Sequence, residues 1–415
     1  MDEQNRICEY VTNLITRFSY RKIEKGFITI GGYAGTGKTT LISKILDSVG
    51  PRMNPRIGIL APTGRAALNL KRKIIDFGLN EDNYFIGTIH SLLYRPVVVD
   101  NVLVGWERKD KDEIGVDFVF VDESSMVGTE QWIDLIDNDL FIVAVGDHGQ
   151  LYPIKTDLIN SQTNYSVKFK VNSLQKEIFN PNFELKTIHR QLEDNPIIKL
   201  SMEVRNGKSI KNGLYGKNVF KLNWKDPVCK QIFDKINFED QDLIMLTNTN
   251  NTRSILNDDV REKLKYSRHE PYPGEKIVCL SNNRHLGIMN GELFTVEWLM
   301  HFDKYYYDIT IKSENSDLMF SVLARKDIFG SVDYSKIQKV EKLSSSTSLE
   351  LRKRGGECRF DFGYAISVHK SQGSQWKKVI LFEERNRYQN DDEWKRWLYT
   401  GVTRPTEKLF IIVGF

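Results

Sequence analysis

The sequence has few cysteines, and their spacing suggests no shared role. Cys8, Cys229, Cys279 and Cys358 are the only four in 415 residues, and no two of them form a C-x-x-C pair. This distribution predicts neither a zinc site nor a disulfide framework. The simple interpretation is a chain that works in a reducing cytosol.

Long hydrophobic runs are also missing. The longest, such as Leu140–Val145 and Leu409–Val413, are far too short to span a bilayer. The polar start MDEQNR does not resemble a signal peptide. We therefore expect no membrane association.

Neither sign of charge dominates. The chain has 59 Lys and Arg against 55 Asp and Glu, a formal net charge of +4. This balance allows a nucleic-acid partner but does not demand one. At 415 residues the chain is too long for one ordinary hydrophobic core, so we expect two or more domains.

What the sequence does contain is a glycine-rich pattern near its start, in GFITIGGYAGTGKTTLISKIL (26–46). Phe27–Ile30 is a β-branched and aromatic run typical of a buried strand, and Thr39–Leu46 has helical spacing. Between them, Gly32, Gly37 and the following Lys-Thr pair fit G-x-x-x-x-G-K-[ST], the phosphate-binding loop. The alternative, a strand-to-helix turn without a ligand, does not account for the Lys-Thr pair.

Each residue type in this loop has a chemical reason. Glycines let several backbone N–H groups converge on one anion at the positive end of a helix dipole. Lys38 would reach the β and γ phosphates, and the Thr39 hydroxyl would hold Mg²⁺. The predicted ligands are ATP and Mg²⁺, and the predicted nucleotide-binding residues are Gly35, Thr36, Gly37, Lys38, Thr39 and Thr40.

Short apolar strands alternate with helical stretches after the loop. The predicted strands are Ile57–Leu60, Phe118–Val121 and Leu140–Val145. This alternation predicts an α/β fold with a parallel sheet covered on both faces and functional loops at the carboxyl ends of the strands. A polar cluster follows each strand: APTGRAA (61–67), DESSM (122–126) and GDHGQLYP (146–153).

The second cluster places two carboxylates where phosphoryl transfer needs them. Asp122 could complete the Mg²⁺ sphere and Glu123 could activate the attacking water, although such a pair could also cap a helix. Gln150 is a candidate sensor of the γ-phosphate. Arg190 and Arg404 are candidate arginine fingers, although a lone arginine more often forms a surface salt bridge.

A second α/β region begins near Asp242–Asn250 and resumes at Phe362–Trp376. The intervening segment, about Lys265–Arg359, is rich in predicted strands and is interpreted as a small barrel-like insertion. A shorter insertion at Arg95–Trp106 has two valine-rich runs around Asp100-Asn101, which is typical of a β-hairpin.

The ordered series of motifs resembles that of superfamily 1 helicases. Within them it is most similar to the RecD-like group, superfamily 1B, and particularly to the compact Dda-like helicases of T-even phages. The resemblance covers nearly the whole chain and is weak at about 160–180 and 299–356. The motifs are GYAGTGKTT, APTGRAA, TIHSLL, VFVDESSM, GDHGQLYPI, IHRQ, SVHKSQGSQW and LYTGVTR.

The resemblance implies two RecA-like parallel-sheet domains with an inserted β-hairpin and a β-rich, SH3-like accessory domain. The implied boundaries are 1–190 for the first domain, with the hairpin at about 95–116, 191–264 plus 360–415 for the second, and 265–359 for the accessory domain. The two RecA-like domains would close on ATP. Lys38, Thr39, Asp122, Glu123 and Gln150 would come from one side, and Arg190 and Arg404 from the other. Gln4 would read the adenine, and Gly373 would link nucleotide and DNA.

The resemblance also implies single-stranded DNA lying across both domains. Hydroxyl, amide and aromatic contacts suit tracking without sequence preference. The implied strand-binding residues are Pro62, Thr63, Thr88, His90, Trp106, Pro153, Asn290, Ser367, His369 and Lys370. Either Trp106 or a valine at the hairpin tip could be the wedge. His90 and His369 could instead be core histidines.

The implied activity is ATP-dependent unwinding of DNA by translocation along one strand, with 5′ to 3′ polarity. The expected partners are single-stranded DNA and fork junctions, and a monomer in phage-infected or bacterial cytoplasm could also contact a single-strand-binding protein or a replisome. Replication, recombination and repair are the implied settings. Two alternatives stay open: an RNA helicase, since the motifs mainly touch phosphates, and an ATPase switch or loader that does not unwind.

Overall fold

The computed structural model describes residues 3–19, 26–49, 56–99, 102–152, 165–187, 195–281, 283, 285–314, 318–333, 337, 340 and 343–415. The chain divides into two compact units, the first made of Met1–Arg95 with Arg108–Lys199 and the second of Pro96–Glu107 with Leu200–Phe415. None of the helices in these ranges combines the length and apolarity needed to cross a bilayer.

The helices and strands alternate along most of the chain. The helices are α1 (Glu3–Ser19), α2 (Lys38–Val49), α3 (Gly64–Asp76), α4 (Ile89–Leu93), α5 (Thr129–Asp137), α6 (Tyr165–Phe179), α7 (Pro196–Arg205), α8 (Pro227–Asp234), α9 (Asn250–Lys263), α10 (Ser345–Lys353) and α11 (Asp391–Val402). The strands are β1 (Phe27–Gly32), β2 (Ile57–Ala61), β3 (Phe85–Thr88), β4 (Tyr94–Val99), β5 (Val102–Arg108), β6 (Phe118–Val121), β7 (Phe141–Gly146), β8 (Phe183–Leu185), β9 (Gly213–Tyr215), β10 (Val219–Asn223), β11 (Leu243–Thr247), β12 (Lys276–Cys279), β13 (Leu293–His301), β14 (Tyr306–Ser313), β15 (Met319–Arg325), β16 (Glu357–Cys358), β17 (Phe360–Phe362), β18 (Ala365–Ser367), β19 (Trp376–Glu383) and β20 (Pro405–Val413).

The first unit contains the predicted parallel sheet. Its six strands have the order β3-β2-β6-β7-β1-β8, and the pairs along it are parallel. Side chains of β6 alternate between two hydrophobic clusters, with Phe118 and Phe120 on one face and Val119 and Val121 on the other. Both faces are therefore buried, which explains why these strands read as continuous apolar runs.

The second unit contains another six-stranded sheet, in the order β18-β11-β19-β20-β10-β9. Its pairs are parallel except at one edge, where β9 runs antiparallel to β10. The prediction for this region was a parallel sheet, and the edge strand departs from it because β9 returns directly along β10 after a short turn. A short turn can join only antiparallel neighbours.

The β-rich insertion forms a third sheet in the order β16-β15-β14-β13-β12-β17, antiparallel except where β15 and β16 pair. It shares one hydrophobic cluster with the second sheet. Helix α9 joins the two through buried polar side chains: Arg253 pairs with Asp361, and Arg261 pairs with Glu275. Strands β4 and β5 form a separate two-stranded sheet.

Candidate active site

The predicted phosphate loop lies between β1 and α2, and its backbone requires glycine at defined positions. Gly35 and Gly37 have φ of 81° and 78°, in the left-handed region that other residues avoid. The Lys38 ammonium donates hydrogen bonds to the carbonyl oxygens of Gly32 at 2.8 Å and Tyr33 at 3.2 Å. The cation is therefore held within the loop that the motif predicts to wrap a phosphate.

Two oxygen atoms meet where the sequence predicts a metal. The Thr39 hydroxyl, at the start of α2, donates to Asp122 Oδ2 at 3.3 Å, just after β6. Hydroxyl and carboxylate oxygens are hard ligands of the kind that Mg²⁺ takes in phosphate sites. The residues present therefore fit Mg²⁺, and Thr39 and Asp122 are the residues that would hold it.

A second cation, which the sequence analysis missed, reaches the same hydroxyl. Lys73 Nζ, on α3, lies 3.4 Å from Thr39 Oγ1. No motif marks this lysine, and its position follows only from the packing of α3 beside α2. The site therefore has two ammonium groups near the predicted phosphates.

Glu123 adopts an unusual backbone conformation. Its φ is 51° and its ψ 38°, in the left-handed region, and its N–H donates to Asp122 Oδ1 at 2.9 Å. For a residue other than glycine this conformation costs about 1–3 kcal/mol, and such strain concentrates at functional sites. This conformation falls at the residue that the sequence predicts to activate the attacking water, and that role stays a prediction.

Gly146, at the end of β7, leaves room for the turn that follows Glu123. A Cβ added there would lie 2.4 Å from Ser124 Oγ and 3.1 Å from the Ser125 nitrogen. We expect Gly146→Ala to lower the free energy of unfolding by about 1–3 kcal/mol because the turn must move. Urea unfolding measures this, with Gly64→Ala as the control because a Cβ there meets nothing within 4 Å. Equal stability of the two variants would contradict the tight packing.

The GDHGQ segment packs against the phosphate loop. The His148 and Tyr33 rings are 4.3 Å apart, and a Cβ on Gly149 would lie 2.7 Å from Tyr33 Cε1. Gln150 is buried in the same turn, and its N–H donates to the Asp147 carbonyl at 3.2 Å. This packing places Gln150 in the neighbourhood of the loop, while its role as a sensor stays a prediction.

Gln4 also contacts the phosphate loop. Its side chain is buried, donates to the Thr36 carbonyl at 3.2 Å, and accepts from Lys44 Nζ at 2.9 Å. Helix α1 therefore brings this amide to the predicted phosphate loop, while its role in reading adenine stays a prediction.

The candidate fingers belong elsewhere in the chain. Arg404 is buried in the second unit, where its guanidinium donates to the carbonyl oxygens of Thr400 at 2.9 Å and Ser374 at 3.3 Å. Gly373, beside Ser374, has a φ of 72°. Arg190 and Pro153 lie outside the described residues, so their roles stay predictions.

In the first unit, two predicted strand contacts lie at one sheet edge. Thr63 lies two residues after the end of β2, and Thr88 is the last residue of β3. These strands are parallel neighbours, in which Ala61 pairs with Thr88. Both threonines cap helices, accepting from the Ala66 and Ser91 N–H groups respectively. Their side chains therefore have a structural role whether or not a strand binds.

The other predicted binding residues of the first unit differ in how exposed they are. Pro62 is buried. The His90 ring stacks on the Tyr94 ring with a centroid separation of 4.6 Å, so one face of the histidine is covered. Thr40 is exposed on α2. The side chain of Trp106 lies outside the described part of the structure.

In the second unit, loops from two sheets meet. Gly291, beside Asn290, has a φ of 87°, and a Cβ there would lie 3.4 Å from the Lys370 carbonyl oxygen. Lys370 follows β18, which ends at Ser367. Burial, with a smaller contribution from Arg253, lowers the pKa of Lys370 to about 8. Burial also lowers the pKa of His369.

Comparison with known proteins gives two family matches in the same order as the two sheets. Residues 19–156 match an AAA domain family, and residues 362–412 match the UvrD-like helicase C-terminal domain family. The RecBCD enzyme subunit RecD of Buchnera aphidicola is 24% identical over 92% of this chain and 70% of its own length. In sequence the chain is similar to the RecD-like helicases of superfamily 1.

Two other similarities accompany these matches. The ATP-dependent DNA helicase dda of Enterobacteria phage T4 is 31% identical over 45% of this chain and 39% of its own length. Among solved structures, Pif1 helicase from Bacteroides in complex with ADP-AlF3 and ssDNA aligns with 97% of this chain and 91% of its own, at 16% identity and a TM-score of 0.49. The matched region covers less than half of the length of the phage relative.

Proposed function

We propose that this protein is an ATP-dependent DNA helicase that moves along single-stranded DNA, with 5′ to 3′ polarity, and separates duplex strands. The observation that carries the proposal is the meeting of Lys38, Thr39 and Asp122 in one site. This site lies on the sheet whose neighbouring loops hold the predicted strand contacts. The sequence similarity of the chain to RecD-like helicases supports the same activity.

Within the site, each side chain has a distinct task. Lys38 binds the β and γ phosphates as its ammonium leaves the loop carbonyls, and the backbone N–H groups of the loop hold the remaining charge. Mg²⁺, when bound, neutralises charge on the transferring phosphoryl group. Glu123 orients and deprotonates the attacking water, and Gln150 responds to the γ-phosphate.

Arginines complete the reaction in this proposal. Arg190 and Arg404 stabilise charge that develops on the γ-phosphate in the transition state, which lowers the barrier without tightening nucleotide binding to the same degree. Hydrolysis then changes how the strand-binding loops grip DNA. Gly373 and the residues before it connect these events.

The two insertions would act on the duplex. We assign the sheet of β4 and β5 as a strand-separating pin, with Trp106 as its wedge, and the third sheet as an SH3-like accessory domain that guides DNA. We also propose that the protein acts as a monomer in the cytoplasm. The buried pairs of α9 support a fixed position of the accessory sheet on the second parallel sheet.

Strand binding should depend on pH through Lys370. Its pKa of about 8 means that the free protein loses this charge as pH rises past 8. A DNA phosphate favours the protonated form, so binding takes up a proton there, and affinity falls as pH rises from 7 to 9. We expect up to about a tenfold loss per pH unit above 8. Anisotropy of a labelled oligo-dT measures it, and Lys370→Met should flatten the profile; an equally steep profile in the variant would contradict the assignment.

A forked duplex with either a 5′ or a 3′ single-stranded tail tests the proposed function. With ATP and Mg²⁺, the protein should release strands from the 5′-tailed substrate only. Release from the 3′-tailed substrate alone would overturn the polarity. ATP hydrolysis without strand release from either substrate would favour an ATPase switch. Stronger stimulation of ATP hydrolysis by poly-U than by poly-dT would favour an RNA helicase.

A further inference from the structure

The loop between β19 and α11 exposes an aromatic side chain. Tyr388 is 79% exposed, more than any other large hydrophobic side chain in the described part of the chain. The guanidinium of Arg387 lies over its ring, 4.8 Å from the centroid. With so much of the ring exposed, the opposite face is open to solvent.

The loop that carries this tyrosine is firmly held. Glu384 accepts hydrogen bonds from the Asn248 N–H at 2.9 Å, the Thr249 N–H at 2.8 Å and the Thr252 hydroxyl at 2.6 Å. Asn248 Nδ2 in turn donates to Gln389 Oε1 at 2.6 Å. The exposure of Tyr388 is therefore a property of an anchored loop, which holds the ring at one place.

This loop lies at the sheet edge that carries proposed strand contacts. Thr247 of β11 pairs with Ser367 of β18, and Leu246 of β11 pairs with Leu381 of β19. These parallel strands end at the same edge, and neighbouring strands are about 4.8 Å apart. Since β11 lies between β18 and β19, the start of the loop after β19 is two strand spacings, roughly 10 Å, from Ser367 at the end of β18.

Arg387 brings a positive charge to this loop. Acidic residues open α11, but each has a partner: Asp391 pairs with Arg385 at 2.6 Å, Asp392 pairs with Arg396 at 2.8 Å, and Glu393 accepts from the Asn390 N–H at 3.1 Å. Among the described residues, no ion pair engages Arg387. Its charge is available beside an open aromatic face.

We infer that Tyr388 and Arg387 form a further contact for single-stranded nucleic acid, in which the tyrosine ring stacks on a base and the guanidinium binds an adjacent phosphate. The inference rests on the proposed function, and extends its strand path across the edge of the second sheet. Aromatic stacking tolerates every base, as a motor that tracks any sequence requires.

The test is the affinity of the nucleotide-free protein for fluorescein-labelled oligo-dT, measured by anisotropy. Tyr388→Ala should weaken binding roughly 5- to 100-fold, the loss expected for one stacked base, and Tyr388→Trp should restore it. Arg387→Ala should weaken binding and reduce the salt slope by about 0.7, for one phosphate on a single strand.

Two controls separate stacking from other causes. Phe169→Ala removes another exposed aromatic side chain, on α6 of the first unit, to which no strand contact is assigned. It should leave affinity unchanged. An oligonucleotide with abasic sites throughout should bind the wild type and Tyr388→Ala equally, because it has no base to stack.

The outcomes are distinct. If the wild type binds oligo-dT and Tyr388→Ala binds as tightly as Phe169→Ala, the inference is overturned while the proposed function stands. If Tyr388→Ala is equally weakened on the abasic strand, stacking is overturned. If the wild type binds neither oligo-dT nor oligo-U, the proposed function itself fails.

Discussion

Replacing Lys38 with alanine is expected to abolish ATP turnover while single-strand binding survives. The Lys38 ammonium donates hydrogen bonds to the Gly32 and Tyr33 carbonyl oxygens of the phosphate loop. It would supply positive charge to the β and γ phosphates. Loss of one such preorganised group typically costs at least about 100-fold in turnover. Phosphate release from ATP in the presence of poly-dT measures the effect.

The controls for this variant separate chemistry from folding. Lys71→Ala removes an exposed lysine of α3 that pairs with Glu81 at 2.7 Å, outside the site, and should keep full turnover. Thermal unfolding should show that Lys38→Ala is folded. Substantial residual turnover in Lys38→Ala would contradict the assignment of this loop as the catalytic nucleotide site.

Replacing Arg404 with alanine is expected to lower turnover by about 1,000-fold or more, with nucleotide binding weakened less than about tenfold. A group that acts mainly in the transition state lowers kcat far more than it changes binding, and arginine fingers contribute 10³–10⁵ in kcat. Single-turnover hydrolysis gives the chemical step, and fluorescence of a labelled ADP gives the affinity.

The surroundings of Arg404 make a second variant necessary. Its guanidinium is buried and bonded to the Thr400 and Ser374 carbonyl oxygens, so the alanine variant would leave buried acceptors unpaired and lose stability. Arg404→Lys keeps the charge and the bulk but loses the planar fork. It should remain folded and slow. Arg396→Ala, in helix α11, which ends at Val402, should keep wild-type turnover. Wild-type turnover in Arg404→Lys would count against the finger.

The parallel sheet of the first unit was predictable because of local chemistry. A parallel strand buried on both faces must be apolar throughout, so the run of Phe118–Val121 marked β6 by itself. The phosphate loop was equally predictable, since only glycine suits the φ values at Gly35 and Gly37. These features depend on residues close in sequence.

Other features depend on contacts between distant residues, which spacing does not encode. Lys73 reaches Thr39 only because α3 packs beside α2. The left-handed conformation of Glu123 and the antiparallel edge strand β9 follow from packing and chain return, not from composition. The exposure of Tyr388 likewise depends on a loop anchored by Glu384 to Asn248 and Thr249, more than a hundred residues earlier.

The central claim is that the nucleotide site of the first sheet hydrolyses ATP in response to a bound single strand. The most direct measurement is the rate of Mg²⁺-dependent ATP hydrolysis with and without a saturating oligo-dT. The account predicts stimulation of at least about tenfold, which Glu123→Gln removes because the water-activating carboxylate is gone. The same rate with and without the strand, in a protein that binds the strand, would contradict it.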